Sequence, residues 1–273
     1  MDALQFLWWP FLACVVLTGI HAYLGMHVVS RGVIFVDLSL AQVAALGTAI
    51  AFVLGYDLHG QVAYVFSLVC TVAGAAIFAM TRGEKKAAHQ EAIIGIVYAV
   101  SSALAILVLD RAPEGAEHIK HILVGNLLAV HPEEVMKMAG LYIVIGGLHW
   151  WWSRPFLLMS ESYERARQEG YRVKWWDFLF YVTFGVVVTS SVAIAGVLLV
   201  FAYLVVPSMI ALLFASSIRS RLVIGWTSGV VASVLGMFVS FRFDTPTGAT
   251  VIAAFAVLLI MAALVSRIRL FRT

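Results

Sequence analysis

The stretch FLFYVTFGVVVTSSVAIAGVLLVFAYLVVPSMIALLFASS, Phe178 to Ser217, contains no Asp, Glu, Lys or Arg. A helix needs roughly 20 apolar residues to cross the hydrocarbon core of a bilayer. This stretch is therefore long enough for two crossings, with Gly196 as the bend and Pro207 as a helix interruption. No water-soluble fold has an outlet for so long an uncharged run, whereas lipid can face Leu, Val and Phe directly.

The rest of the chain has the same character. Of 273 residues, 62% are hydrophobic and 12% charged, where soluble domains run nearer a quarter charged. Mean hydropathy is +0.97. Breaks in the apolar pattern give spans at 8–28, 33–55, 61–81, 91–110, 135–153, 177–195, 197–215, 222–241 and 248–266. The expected fold is all-α: a polytopic transmembrane bundle of about eight to nine spans in one transmembrane domain, 1–273. The shorter stretch HIKHILVGNLLAV, 118–130, is expected to be a re-entrant or interfacial helix. The first residues, MDALQFLWWP, lack a basic region before the apolar run, which predicts a retained first span.

Charge supplies the orientation. With the N-terminus outside, the inner segments hold all but Arg111, Lys120, Lys137 and Arg242 of the 18 Lys and Arg. This is the bias that the positive-inside rule expects. The largest inner segment, Arg154 to Lys174, reads either as a solvated loop anchored by Trp175 and Trp176 or as a surface for a cytoplasmic partner. The protein is expected in the cytoplasmic membrane, C-terminus inside, bathed in lipid and without a nucleic-acid partner.

Several chemistries are excluded by pattern. GxxxxGK[ST], GxSxG, HExxH and CxxC do not occur, so no catalytic residue is assigned. Energy for active transport must then come from a partner chain or an ion gradient. Cys14 and Cys70 read as small buried hydrophobes.

Polar groups inside spans are costly and suggest function. His21, Asp37, Ser39 and Gln42 form a candidate ion path, with imidazole and oxygen ligands suited to a divalent metal. Asp37 and Gln42 lie roughly 140° apart on a continuous helix. The competing reading makes His21 and His27 interhelical hydrogen-bonding residues. On the outer side, Glu117, His118 and His121 could share a helix face and receive a metal or a delivery protein. An interfacial turn is the plainer reading. His89 and His149 have no evident partner.

Several segments resemble the permease subunits of the zinc, manganese and iron ABC importers. They are EAIIGIVYAVSSALAILVL (91–109), HILVGNLLAV (121–130), SYERARQEGYRVKWWD (162–177), AGVLLVFAYLVVPSMIALLFA (195–215) and RFDTPTGATVI (242–252). The likeness covers nearly the whole chain in order. It departs at VDLSLAQVAALG (36–47), where Leu38 stands at the family's Asp position and Gln42 at its His position, with Asp37 one residue earlier. The resemblance implies two copies of the chain, two cytoplasmic ATP-binding subunits and an extracytoplasmic metal-binding protein. It implies a transported divalent metal ion and no cofactor bound by this chain. It also implies ATPase contact through a short helix at 208–221, with Ser208, Arg219 and Arg221, and through Glu164 and Arg165. A stand-alone cation transporter or channel, or an ABC permease for a non-metal substrate, remains the alternative.

Overall fold

The computed structural model describes residues 3–57, 60–82, 87–110, 125 and 127–270. Among them are eleven α-helices and no strand. They are α1 (Ala3–Arg31), α2 (Val36–Val53), α3 (Gln61–Thr81), α4 (Ala87–Leu109), α5 (Pro132–Trp151), α6 (Ser153–Glu161), α7 (Tyr163–Gln168), α8 (Val173–Ala195), α9 (Val197–Phe214), α10 (Ile218–Phe243) and α11 (Thr247–Leu270). A 3-10 turn at Leu127–Ala129 is the described part of the expected re-entrant element. Eight helices are long and apolar enough to cross a membrane: α1 to α4 and α8 to α11. Helix α5 has 20 residues, but Glu133, Glu134 and His149 at its ends dilute its apolar character.

The long uncharged stretch breaks where glycine permits it. Gly196 has φ 77° and separates α8 from α9. Pro207 does not interrupt a helix, contrary to expectation; it lies inside α9, which runs on to Phe214.

The chain divides into two compact units. The first comprises Met1–Val29, Val124–Ile143 and Ile194–Thr273. Within it α9, α10 and α11 pack on one another. Small residues set the spacing, as they do where helices meet without a hydrophobic drive from water. A Cβ at Gly25 would sit 1.9 Å from the Leu204 carbonyl oxygen. One at Gly229 would meet Thr18, and one at Gly236 would meet the Val251 backbone. Tyr203 OH pairs with Ser233 Oγ at 2.7 Å, and Trp226 Nε1 donates to the Gly19 carbonyl at 3.0 Å. The α10–α11 corner is built by Asp244 in the left-handed region and by Ser240 Oγ, which donates to the Thr245 carbonyl at 2.7 Å. Pro246 precedes α11, where its missing N–H costs nothing.

The second unit comprises Ser30–Leu123 and Val144–Ala193. Helix α2 is its centre and packs on α3 and α4. Gly47 brings α2 onto the α3 backbone at Phe66 and Ser67, and Gly185 makes room for Thr71. Thr71 and Thr189 hydroxyls pair at 3.1 Å, joining α3 to α8.

Candidate translocation residues and a buried charged cluster

In the first unit, His21 is fully buried on α1. Its Nδ1 lies 2.8 Å from the Leu17 carbonyl oxygen, so Nδ1 must carry the proton there. The ring meets Tyr142 edge-on at 6.1 Å. His27 is also buried and packs edge-on against Tyr23.

In the second unit, Asp37, Ser39 and Gln42 are all buried on α2. Burial covers both helix faces here, with Val36, Leu40, Ala41 and Val43 also enclosed. The angular separation of Asp37 from Gln42 thus does not put either into solvent or lipid. Asp37 sits in the first turn of α2, where the helix dipole favours a carboxylate. Asp37 Oδ1 and Ser39 Oγ have no hydrogen-bond partner among the described residues. A buried carboxylate in that condition is costly unless a proton or cation joins it. Glu91, on α4, accepts from the Phe35 amide at 3.0 Å and so serves the N-terminus of α2. Sequence reading had Glu91 only as part of a motif; nothing in its spacing revealed that it reaches across to α2.

The remaining expected residues fall in three places. Glu117, His118 and His121 lie outside the described residues. Glu164 and Arg165 are exposed on α7, whose N-terminus is capped by Ser162 Oγ accepting from the Arg165 amide at 3.3 Å. The segment 208–221 is not a helix of its own. It is the end of α9, a break at 215–217 and the first turn of α10. Ser208 is buried and donates to the Leu204 carbonyl at 2.9 Å, within its own helix. Arg219 is exposed, while Arg221 Nε donates to the Ala215 carbonyl at 3.0 Å. No three His, Cys, Asp or Glu among the described residues gather as a metal centre.

The densest polar cluster was not anticipated. Asp177, fully buried at the base of α8, faces two guanidiniums in the second unit. Arg31 Nη1 donates to its Oδ1 at 2.8 Å, and Arg82 Nη1 donates to the same oxygen. Arg31 Nε donates to Ser160 Oγ at 3.0 Å, and Arg82 Nη2 to the Met159 carbonyl at 3.0 Å. The Arg31 guanidinium also lies 3.8 Å from the Phe180 ring centroid. Beside it, His149 stacks on Phe156 at 4.3 Å and meets Thr183 Oγ1 at 2.8 Å. Gln90 Nε2 donates to Tyr181 OH at 2.9 Å, bringing the start of α4 to α8.

These contacts bring several helix ends of the second unit together. The ends of α1 and α3 and the starts of α4 and α8 meet around Asp177, together with α6. Helix α5, 20 residues and about 30 Å long, lies between α4 and α6 in the chain and is not among the eight helices apolar enough to cross a membrane.

A bundle of apolar crossings with buried polar groups and short helices at one face is the architecture of a polytopic membrane transport protein. The chain belongs to the ABC 3 transport family, which it matches over residues 3–266. It is 26% identical over 233 residues to the manganese import system permease protein ScaB of Streptococcus parasanguinis, covering 85% of this chain and 81% of that one. It is 26% identical to the chelated iron transport system membrane protein YfeD of Yersinia pestis, over 94% of this chain and 84% of that one. Among solved structures, PsaBC from Streptococcus pneumoniae in complex with Fab matches with a TM-score of 0.78 and 26% identity, covering 96% of this chain and 93% of the other. The chain is a multi-pass cell-membrane protein of the permease type.

Proposed function

We propose that this chain is the membrane-spanning permease of an ATP-driven importer, and that its cargo is a divalent metal ion, manganese or iron before zinc. The observation that carries this reading is the buried carboxylate of Asp37, with an unpartnered oxygen, in a chain matched by metal-import permeases along nearly its whole length. Asp37, Ser39 and Gln42 offer carboxylate, hydroxyl and amide oxygens. Hard oxygen donors suit manganese better than the soft or nitrogen-rich sets that zinc favours. A transported ion needs few strong ligands, because it must leave as readily as it enters.

Two copies of the chain enclose the path in this proposal, and an extracytoplasmic binding protein delivers the ion. Two ATP-binding subunits dock on the cytoplasmic face, against α7 with Glu164 and Arg165 and against the α9–α10 corner with Arg219. The chain itself lacks a phosphate-binding loop sequence, so hydrolysis is assigned to those subunits, and no resident cofactor is assigned to this one. The decisive experiment reconstitutes the chain with its ATP-binding subunits and binding protein in proteoliposomes. ATP hydrolysis and uptake should both rise with manganese or iron. Uptake without any ATP-binding subunit would instead favour a stand-alone transporter.

A further inference from the structure

We propose that Arg31, Arg82 and Asp177 form the joint through which movement of α6 and α7 reaches the membrane-spanning helices α1, α3 and α8. The proposal rests on the importer reading, since that supplies the force at α7. Helix α7 exposes Glu164, Arg165, Arg167 and Gln168, with Tyr163 half-buried and Ala166 buried, and so is open to a partner. Helix α6 is different: Pro155, Phe156, Met159 and Ser160 are buried. Two of those four residues carry the cluster's contacts. The Met159 carbonyl is among the last of α6, which have no partner within the helix; Arg82 Nη2 fills that need at 3.0 Å. Ser160 Oγ takes Arg31 Nε at 3.0 Å. Arg82 also lies 5.4 Å from the Tyr163 ring of α7. Both guanidiniums then converge on one oxygen of Asp177.

Movement of α6 thus pulls on the last residue of α1 and the residue after α3, and through them on the base of α8. Apolar packing would let these elements slide. Directional bonds to a shared oxygen hold them in discrete arrangements, which is what transmission between distant sites requires. Stability alone does not call for ions here, because well-packed apolar residues commonly replace a buried ion triad without loss. Asp177 is therefore a positioning residue that acts through the two arginines.

The test uses the reconstituted complex and reads metal uptake per ATP hydrolysed. The triple variant Arg31→Met, Arg82→Met, Asp177→Leu should assemble and hydrolyse ATP, with that ratio reduced about fivefold or more. Asp177→Glu in an otherwise native chain keeps the carboxylate and should retain most of the native ratio. A triple variant with the native ratio overturns the joint. Should the triple variant fail to assemble, Ser160→Ala decides, since it removes one tether and leaves the ions. A fall of about twofold supports the joint, and an unchanged ratio overturns it. A native complex with no ATP-driven uptake would overturn the importer reading and the joint together; a normal native complex isolates the joint.

Discussion

Asp177 and Arg31 stand 146 residues apart in sequence and 2.8 Å apart in space, with both side chains wholly shielded from solvent. Arg82 shares the same carboxylate oxygen. Removing one partner from such a group leaves uncompensated buried charge, which costs about 3–5 kcal/mol. Asp177→Asn should therefore lower the melting temperature of the detergent-purified protein markedly and reduce its yield, well beyond the effect of Arg154→Gln. Arg154 contributes only an exposed pair with Glu169 at 3.4 Å, of a kind worth about 0–1 kcal/mol. Equal melting temperatures for the two variants would contradict the geometry.

Asp37 leads to a different outcome. Asp37→Asn keeps its size and removes the charge, so the chain should insert and fold while metal uptake falls about tenfold or more, as loss of a charge in a buried path implies. Asp37→Ala should harm uptake more than His118→Ala. The opposite order, measured with radiolabelled manganese, would move the ion site to the outer rim.

Gly125 presses against the break between α8 and α9. Its φ is 66°, and a Cβ there would lie 2.3 Å from the Ala195 carbonyl carbon. Gly125→Ala combines a clash with a backbone conformation costing about 1–3 kcal/mol for other residues. It should give little folded protein by size-exclusion chromatography. Gly95→Ala, where a new Cβ meets nothing within 4 Å, should behave as the native chain does.

At the α9–α10 corner the two arginines should separate. Arg221 serves the Ala215 carbonyl at the C-cap of α9, so Arg221→Gln should lower stability by about 0.5–1.5 kcal/mol. Arg219 is exposed. Arg219→Glu should leave the melting temperature unchanged and weaken co-purification of the ATP-binding subunits. Normal co-purification with normal coupled uptake would remove this corner from the docking surface.

Orientation is open to direct labelling. A single cysteine replacing Glu164, which is exposed on α7, should react with a membrane-impermeant maleimide only in inside-out vesicles. Reaction in intact cells would invert the arrangement.

The helical class was legible because it depends on composition and run length, which survive without knowledge of any contact. Positive charge placed Arg31, Arg82 and the 154–174 segment on one face from parity alone, and their meeting around Asp177 fits that grouping. Gly196 was legible as a bend, since its stretch offers a residue free to adopt positive φ at the right depth. Pro207 misled: α9 continues through it to Phe214, with Pro207 itself buried in the packing. Asp37 stood out as an acid in an apolar run. Asp177 did not, because it follows Lys174 and two tryptophans at a loop boundary and reads there as an interface residue.

What the amino-acid order settled by itself is that the chain is an all-helical, multi-pass membrane protein, because each span must satisfy its own backbone hydrogen bonds within an apolar run of sufficient length. Which buried polar atoms meet was left to the tertiary structure. Residues 31, 82 and 177 become one cluster only when three helix ends converge, and no periodicity along the chain encodes that convergence.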